Sequence, residues 1–206
     1  MRGRNKPWAD QFILDHADYL YHQETSFLNN QETYLEVGIG KGDFIIQSCQ
    51  YYPHVNHIGV ELNKSVFAIA LKKIVNTNIE NVKLLQVPAA QLVELIPHHS
   101  ISKIFLNFSD PWPKSGYKKR RLVHPFHLQI FEQLLKKDGQ IAFKTDNLML
   151  FEFGLESFKE RNYEIVELSY DYQTISGDFI SEYEARFRSL NQPIYRCVIK
   201  INSKEE

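Results

Sequence analysis

The order of hydrophobic and polar positions predicts strands and helices that alternate along most of the chain. Five short apolar runs, each bounded by polar or glycine-rich breaks, predict buried strands. They are residues 33–37, 56–61, 82–87, 102–108 and 140–144. Apolar residues at helical spacing predict a helix after each strand. These helices are residues 43–51, 64–75, 90–96, 125–137 and 148–161.

The end of the chain breaks this alternation. Two further strands are predicted at residues 164–169 and 194–201, with a loop at 171–182 and no helix between them. Strands that alternate with helices are typical of a mostly parallel layered sheet, and two strands without a helix indicate an antiparallel hairpin. We therefore predict an α/β, Rossmann-like fold: a mostly parallel seven-stranded sheet with helices on both faces and a C-terminal antiparallel hairpin.

Length and composition predict one globular domain. The 206 residues are 43% hydrophobic and 24% charged, which is ordinary for a soluble protein. No repeat or linker divides them, so we expect a single domain over residues 1–206, in which 1–31 form an N-terminal arm and a short helix. The net charge is −1, so binding to nucleic acid would have to come from local clusters of Lys and Arg.

Cysteine usage and hydropathy bear on metals and location. Cys49 and Cys197 are far apart and lack the spacing of a zinc site, which favours two buried free thiols in a reducing compartment and no metal. The start of the chain lacks a signal-peptide pattern, and no apolar run approaches the roughly 18 residues of a membrane span. We expect a cytoplasmic protein with no membrane partner.

A glycine-rich turn, EVGIGKG at residues 36–42, follows the first strand. In an open α/β sheet the ligand lies beyond the carboxyl ends of the strands, and Gly38 and Gly40 let it approach the backbone closely. The spacing is not the GxGxxG of a dinucleotide site. Glu36 would repel a pyrophosphate but suits the cationic sulfonium and ammonium groups of S-adenosylmethionine. A tight turn with no ligand is the alternative.

The ends of the second and third strands extend this candidate site. Glu61 ends the second strand, where an acid can accept hydrogen bonds from both hydroxyls of a ribose. Taken alone, Glu61 also fits a solvated strand end, and NAD offers the same diol. The third strand is followed by no carboxylate, so contacts to an adenine would come from backbone groups near Pro88 and Ala89.

The fourth strand ends in NFSDPWPK, residues 107–114, a candidate wall of a reaction site. Pro111 and Pro113 fix an extended, rigid loop around Trp112. The ring of Trp112 can stack on a base, and Asp110 can accept hydrogen bonds from a base edge or lie near a methyl donor. A tryptophan that only anchors the loop is the alternative.

Basic residues follow this loop. Five of the eight residues 114–121 (KSGYKKRR) are Lys or Arg. A charge run is usually a solvated surface, but its place beside the candidate site favours contact with RNA phosphates, which position a substrate without reading its sequence. Asp146, at the end of the fifth strand, either lies on the same rim of the sheet or caps the following helix.

Together these segments resemble the bacterial tRNA (guanine-N7)-methyltransferase family. The resemblance runs from residue 3 to residue 196 and covers almost the whole chain. The matching segments are GRNKPW (3–8), LEVGIGKG (35–42), Glu61, LNFSDPWPK (106–114), KRRL (119–122), FKTDN (143–147), SEYEARF (181–187) and PIYR (193–196). The DPWPK and KRRL block is specific, whereas the glycine loop is not.

The resemblance implies a class I methyltransferase that uses S-adenosylmethionine, leaves S-adenosylhomocysteine, and methylates N7 of guanine 46 in the variable loop of tRNA. Asp110 is the implied catalytic residue. Cofactor contacts fall to Glu36, Glu61 and Asp110, beside the Gly38, Gly40, Pro88 and Ala89 predicted above. The implied substrate-binding residues are Lys114, Asp146, Ser181, Glu182, Tyr183 and Glu184. The implied RNA-binding residues are Gly116, Tyr117, Lys118, Lys119, Arg120 and Arg121. We expect tRNA as the partner and a monomer or homodimer.

The chain departs from the family's pattern at two places. Pro88 or a neighbour stands in the third-strand loop where the family often has an aspartate, and Ser115-Gly116-Tyr117 follows PWPK where the family often has Lys-Arg-His. Two positive or polar contacts would then be either missing or replaced by stacking on Tyr117.

Three other classes of protein share parts of the pattern. Methyltransferases for exocyclic amines of DNA or protein have a second proline before the aromatic residue, which Asp110-Pro111-Trp112 lacks. An NAD-dependent oxidoreductase needs GxGxxG and a proton donor. A non-catalytic RNA-binding protein needs the basic run but neither Glu36 nor Glu61.

Overall fold

The computed structural model describes residues 6–23, 26–28, 31–175 and 178–201. Within them the strands are β1 (Thr33–Val37), β2 (Asn56–Val60), β3 (Val82–Leu85), β4 (Ile101–Asn107), β5 (Leu135–Thr145), β6 (Glu164–Ser169) and β7 (Tyr195–Lys200). The α-helices are α1 (Ala9–Asp15), α2 (Asp43–Tyr51), α3 (Lys64–Asn76), α4 (Leu92–Leu95), α5 (Pro125–Leu134), α6 (Leu148–Glu160) and α7 (Glu182–Ser189). The first five residues of the predicted N-terminal arm lie outside the described residues, and α1 is the predicted short helix that follows.

The described strands form one seven-stranded sheet in the order β3-β2-β1-β4-β5-β7-β6. β1 to β5 pair in parallel, whereas β7 is antiparallel to both β5 and β6. Because these strands are parallel, the carboxyl ends of β1, β2, β4 and β5 lie at one rim of the sheet. The direction of winding reverses between β1 and β4, which places the ligand-binding crevice of such folds at this part of the rim. The predicted α/β, Rossmann-like fold is confirmed.

Two apolar clusters cover the two faces of the sheet. The neighbouring residues Leu84 and Leu85 of β3 belong to different clusters, because successive side chains of a strand point to opposite faces. Phe67 of α3 packs in the cluster that contains Leu84. Phe131 of α5 and Phe151 of α6 pack in the other. Helices therefore lie on both faces, as predicted.

Polar side chains fix where the helices begin at the rim. Asn63 Oδ1 accepts a hydrogen bond from the Val66 N–H at 3.2 Å and caps α3. Asn147 Oδ1 accepts one from the Leu150 N–H at 2.9 Å and caps α6. The alternative in which Asp146 caps this helix is therefore wrong, because the cap is the next residue.

The junction between α5 and β5 differs from the prediction. The helix predicted over residues 125–137 ends at Leu134, and Leu135 already pairs with Ile101 of β4. Leu134 and Leu135 are both fully buried, so their hydrophobicity fits either element, and pairing with the neighbouring strand decides between them. Cys49 and Cys197 are buried and free, as predicted.

The connection between β6 and β7 also differs from the prediction. These strands do pair antiparallel, but helix α7 lies between them, where no helix was predicted. Ser181 Oγ accepts a hydrogen bond from the Glu184 N–H at 3.1 Å and starts this helix. Four of its eight residues are charged, and it lacks the apolar stripe from which helices are predicted.

Candidate active site

The glycine-rich turn after β1 is held by the end of β2. Gly38 and Ile39 donate their backbone N–H groups to the carbonyl oxygen of Val60, at 2.8 and 3.0 Å. Gly38 and Gly40 have φ angles of +87° and +55°, left-handed values that favour glycine. A Cβ on Gly38 would meet no atom within 4 Å, so its conformation, and not crowding, requires glycine. The space in front of the turn is open.

Glu61 follows β2 and holds this turn. Its Oε2 accepts a hydrogen bond from the Gly40 N–H at 3.2 Å, and its Oε1 accepts one from the Asn63 N–H at 2.8 Å. Burial raises the pKa of Glu61 although these bonds lower it, and the charge of Asp110 raises it further. A carboxylate has about four acceptor positions, so about two remain for a ribose diol. Glu61 is therefore not a freely solvated strand end.

Glu36 is a buried acid in the middle of the sheet. Only 3% of its surface is exposed, and its Oε1 accepts a hydrogen bond from Asn107 Nδ2 at 3.0 Å. Burial raises the pKa of Glu36 to about 8, although the Asn107 bond and the charge of Lys144 lower it. A pKa of about 8 favours the protonated carboxyl at neutral pH, and a positive charge beside Glu36 would favour its ionised form.

Three buried polar atoms at the ends of β1 and β4 have no hydrogen-bond partner. They are Glu36 Oε2, Asn107 Oδ1 and Ser109 Oγ. Because buried polar atoms are nearly always paired, these atoms mark a place for a polar ligand. Asn107 Oδ1 is an acceptor, and Glu36 Oε2 becomes one when the carboxyl is ionised, which fits a cationic donor such as an ammonium group. Sequence reasoning missed Asn107 and Ser109, although both lie in the NFSDPWPK segment.

The reaction loop, residues 109–114, begins at the end of β4. Asp110 is exposed and close enough to Glu61 to raise the pKa of that carboxyl. Trp112 has a φ angle of +41°, a left-handed value that strains a residue with a bulky side chain. Such strain persists only where the surroundings hold it, and it is common at functional sites.

Aromatic and cationic groups stack beside this loop. The Arg120 guanidinium carbon lies 4.8 Å from the ring centroid of Trp112 and 4.7 Å from that of Tyr117. The two rings meet edge to face, with centroids 5.9 Å apart. A guanidinium between two rings gives a cation–π contact with each. The ring of Tyr117 therefore contacts Arg120 and Trp112 within the protein, and its stacking on the substrate stays a prediction.

The basic segment, residues 114–121, forms a single 3-10 turn over Ser115–Arg120. Residues 114–120 are exposed, including Lys114, Gly116, Tyr117, Lys118, Lys119 and Arg120. Arg121 differs, because only 3% of its surface is exposed. The predicted RNA-binding residues therefore lie on the surface beside the reaction loop, with the exception of Arg121.

A covering segment, residues 178–184, packs over the glycine-rich turn, with residues 176–177 outside the described residues. The Lys41 ammonium lies 2.6 Å from Glu182 Oε1, and Gln47 Nε2 donates to the Ile180 carbonyl at 2.9 Å. A Cβ on Gly40 would lie 3.9 Å from Tyr183 Cε2. Ser181, Glu182 and Tyr183 are thus brought to the predicted cofactor site, and Tyr183 remains half exposed.

Glu184, also in this segment, takes part in a buried ion cluster. Its Oε2 lies 3.2 Å from the ammonium of Lys144, and its Oε1 lies 2.7 Å from a terminal nitrogen of Arg188. Lys144 also lies 2.7 Å from Asp178 Oδ2. Glu184 and Lys144 are 1% and 2% exposed. Both oxygens of Glu184 are therefore already paired, and the cluster fastens the covering segment to β5.

The other predicted site residues lie around the same rim. Asp146 follows β5 and is half-buried, and burial raises its pKa. Pro88 is exposed after β3 and precedes the 3-10 turn Ala89–Gln91. Because Pro88 has no N–H, a backbone donor to an adenine would have to come from Ala89 or the next residue.

The described residues lack two kinds of feature. No group of three or more His, Cys, Asp or Glu side chains among them is arranged to hold a metal ion. None of the described helices has both the length and the apolar character needed to cross a membrane.

Solved structures share this fold at low sequence identity. The 16S rRNA methyltransferase KamB has a TM-score of 0.68 and 13% identity, covering 89% of this chain and 94% of that chain. A putative methyltransferase from Streptococcus mutans, solved in complex with S-adenosylhomocysteine, has a TM-score of 0.56 and 13% identity over 85% of this chain and 93% of that chain. These two likenesses show that the chain shares the Rossmann-like fold of those proteins.

Similarity in sequence identifies the family within this fold class. A family model described as a putative methyltransferase matches residues 30–197. The tRNA (guanine-N(7)-)-methyltransferase of Bacillus subtilis (strain 168) is 40% identical over 210 residues, which cover 97% of this chain and 99% of that protein. The chain belongs to the tRNA (guanine-N7)-methyltransferase family.

Proposed function

We propose that the protein transfers a methyl group from S-adenosylmethionine to N7 of a guanine in tRNA, at guanine 46 of the variable loop. The observation that supports this most directly is the group of unpaired acceptors at Glu36 and Asn107, beside the glycine-rich turn held by Glu61. Membership of the family supports the choice of tRNA and of N7.

The residues present fit this cofactor. Glu36 Oε2 and Asn107 Oδ1 are buried acceptors that lack donors, so they would hold its ammonium group. Glu61 keeps acceptor positions for the ribose hydroxyls. The open space in front of Gly38 leaves room for the part of the cofactor that joins the ammonium group to the ribose. When bound, S-adenosylmethionine supplies a methyl group on a positively charged sulfur. Buried carboxyl groups favour such a cation over an anionic pyrophosphate.

The reaction requires no general base from the protein. Guanine N7 attacks with an in-plane lone pair and carries no proton, so no residue has to remove one. Catalysis then rests on alignment and on electrostatic stabilisation of the positive charge that develops on the purine ring. Asp110 and Asp146, both on the rim, are the carboxyl groups that we assign to this stabilisation and to the donors on the guanine edge.

The surface beside the reaction loop fits an RNA backbone. Lys114, Lys118, Lys119 and Arg120 are exposed on one short segment, and Trp112 and Tyr117 stand among them. Cations placed this way neutralise phosphates, and an aromatic ring beside them can stack on an unpaired base. The target base must leave any stack to reach the rim. We further infer a cytoplasmic protein of one domain, because tRNA is its substrate and its thiols are free.

Methyl transfer to an unmodified tRNA transcript tests the proposal. The transcript is incubated with the protein and S-adenosylmethionine labelled in the methyl group, then digested to nucleosides and separated. We expect label in 7-methylguanosine, and none with a matched transcript in which adenine replaces guanine 46. Label in 7-methylguanosine from both transcripts would overturn the position. Label in another nucleoside, or no label despite cofactor binding, would overturn N7 methylation of tRNA.

A further inference from the structure

Arg121 differs from the basic residues that precede it. Residues 118–120 are exposed, whereas Arg121 is 3% exposed, although it follows them directly in the KKRR run. A guanidinium is always charged, and a buried charge needs hydrogen-bond partners. The hydrogen-bond partners of the guanidinium therefore indicate which part of the structure Arg121 stabilises.

The partners of the Arg121 side chain belong to the reaction loop. Its Nε donates to the carbonyl oxygen of Pro111 at 3.0 Å, and its Nη2 donates to the carbonyl oxygen of Trp112 at 3.1 Å. The guanidinium carbon also lies 4.5 Å from the ring centroid of Phe153 in α6. The two acceptors are successive carbonyls, which the rigid fork of a guanidinium reaches together and a single ammonium does not.

The backbone of Arg121 is fixed as well. Its carbonyl oxygen accepts hydrogen bonds from His127 Nδ1 at 3.0 Å and from the His124 N–H at 3.0 Å. Burial lowers the pKa of His127, and its Nδ1 is the donor in this bond because a carbonyl oxygen can only accept. Arg121 is thus anchored to the start of α5 on one side and holds the reaction loop on the other.

The carbonyls that Arg121 holds directly follow Asp110. Trp112, which contributes one of them, has the strained φ angle of +41°. Strained backbone persists where surrounding contacts fix it, and at Trp112 the contacts on the carbonyl side come from Arg121. The orientation of the Trp112 ring and of Asp110 follows from the path of this backbone.

We propose that Arg121 is a positioning residue that fixes the reaction loop, and that it does not bind an RNA phosphate. This inference rests on the proposed function, since it assigns the loop to methyl transfer. It separates one residue from the predicted RNA-binding set by its burial and by its partners. The exposed Lys119 keeps the phosphate role and provides the matched comparison.

The first test compares Arg121→Lys with Lys119→Gln in methyl transfer to tRNA at several salt concentrations. Arg121→Lys keeps the charge but loses the fork, and we expect kcat to fall about tenfold or more. We expect its KM for tRNA and its salt dependence of tRNA affinity to match the wild type. Lys119→Gln should instead reduce the log–log salt slope by about 0.7 to 0.9. An unchanged kcat with a reduced salt slope for an Arg121→Gln variant would overturn the proposal.

The second test reads the loop without relying on activity. Trp8 and Trp112 are the two tryptophans of the chain, so a Trp8→Phe background leaves Trp112 as the single fluorescent indole. In this background we expect Arg121→Lys to shift the Trp112 emission to longer wavelength, while far-ultraviolet circular dichroism stays that of the folded protein. An unshifted emission would overturn the proposal. If the wild type makes no 7-methylguanosine, the proposed function is wrong. The Trp112 emission does not depend on methyl transfer, so it still shows whether Arg121 fixes the reaction loop.

Millimolar guanidinium provides a third test, with an Arg121→Ala variant. Added guanidinium ion should restore part of kcat by occupying the vacated site, whereas the same concentration of sodium chloride should not. Equal responses to both salts would indicate that the side chain contributes only charge, against the proposal.

Discussion

Cofactor affinity should depend on pH through Glu36. Burial raises the pKa of this carboxyl to about 8, so a bound cation must displace its proton at lower pH. If the cation returns the pKa of Glu36 to its ordinary range, affinity rises tenfold per pH unit below the pKa. Between about pH 6 and about pH 8 the expected gain is about 50-fold, because the fraction of ionised Glu36 rises by that factor.

Isothermal titration calorimetry with S-adenosylmethionine measures this dependence. The amino group of the ligand itself titrates near pH 8, so the matched variant is Glu36→Gln, which keeps the shape of the side chain and cannot ionise. The ratio of wild-type to variant affinity isolates Glu36. Binding in buffers of different ionisation enthalpy should also show about one proton released per site by the wild type near pH 6. An affinity ratio that stays constant across this range would refute the reasoning.

The same shift has a consequence for the ligand-free protein. The folded state holds a proton on Glu36 that the unfolded chain releases above its ordinary pKa of 4.5. The contribution of Glu36 to stability is therefore largest below that value and falls as pH rises towards about 8, by up to about 1.4 kcal/mol per pH unit. The Glu36→Gln variant should lack this part of the slope in thermal denaturation.

Three other predictions test separate parts of the structure, the first of them with a control variant. Glu184→Gln breaks the buried ion cluster and should lower the free energy of unfolding in urea by about 3 kcal/mol, whereas the exposed Glu182→Gln should cost under about 1 kcal/mol; equal effects would contradict the burial argument. Gly59→Ala would place a Cβ 2.8 Å from Leu84 Cδ2, and overpacking should lower the urea midpoint by the equivalent of about 1–3 kcal/mol; an unchanged midpoint would show that β2 yields freely. Lys118→Gln should reduce the log–log salt slope of tRNA binding by about 0.7 to 0.9, and a slope equal to the wild type would remove Lys118 from the phosphate contacts.

Much of the fold follows from local pattern. The strands of the parallel half are rich in buried apolar residues, and every residue of β2 is buried, so they stand out between polar breaks. The glycine-rich turn can be recognised from the sequence because Gly38 and Gly40 adopt left-handed backbone conformations that favour glycine. Both signals come from residues close together in the sequence, and the rim of the sheet follows from them.

Helix α7 was missed because its signal is of another kind. Half of its eight residues are charged, and among those described only Glu184 is buried, so hydrophobic periodicity gives little signal. The sequence does contain a capping box, in which Ser181 is followed three residues later by Glu184. That pattern predicts a helix start at the place where the structure has one.

The burial of Arg121 lies beyond local reasoning. In the sequence it is one cation among several, and a charge run is most often solvated. Its partners are the carbonyls of Pro111 and Trp112, which become neighbours only after the loop turns back. The unpaired atoms of Asn107 and Ser109 are similar, since only the assembled rim shows that they lack partners.

The position of β7 sets the order in which the sheet can be completed during synthesis. This strand comes after β6 in the chain but lies between β5 and β6, and within the described sheet β6 pairs only with it. Until residues 195–200 have left the ribosome, β5 therefore presents an open edge and β6 has no neighbour to join. The sheet that carries the candidate cofactor site is therefore completed only by a strand synthesised late. A nascent chain halted before residue 195 should expose the unpaired edge of β5 to chaperones.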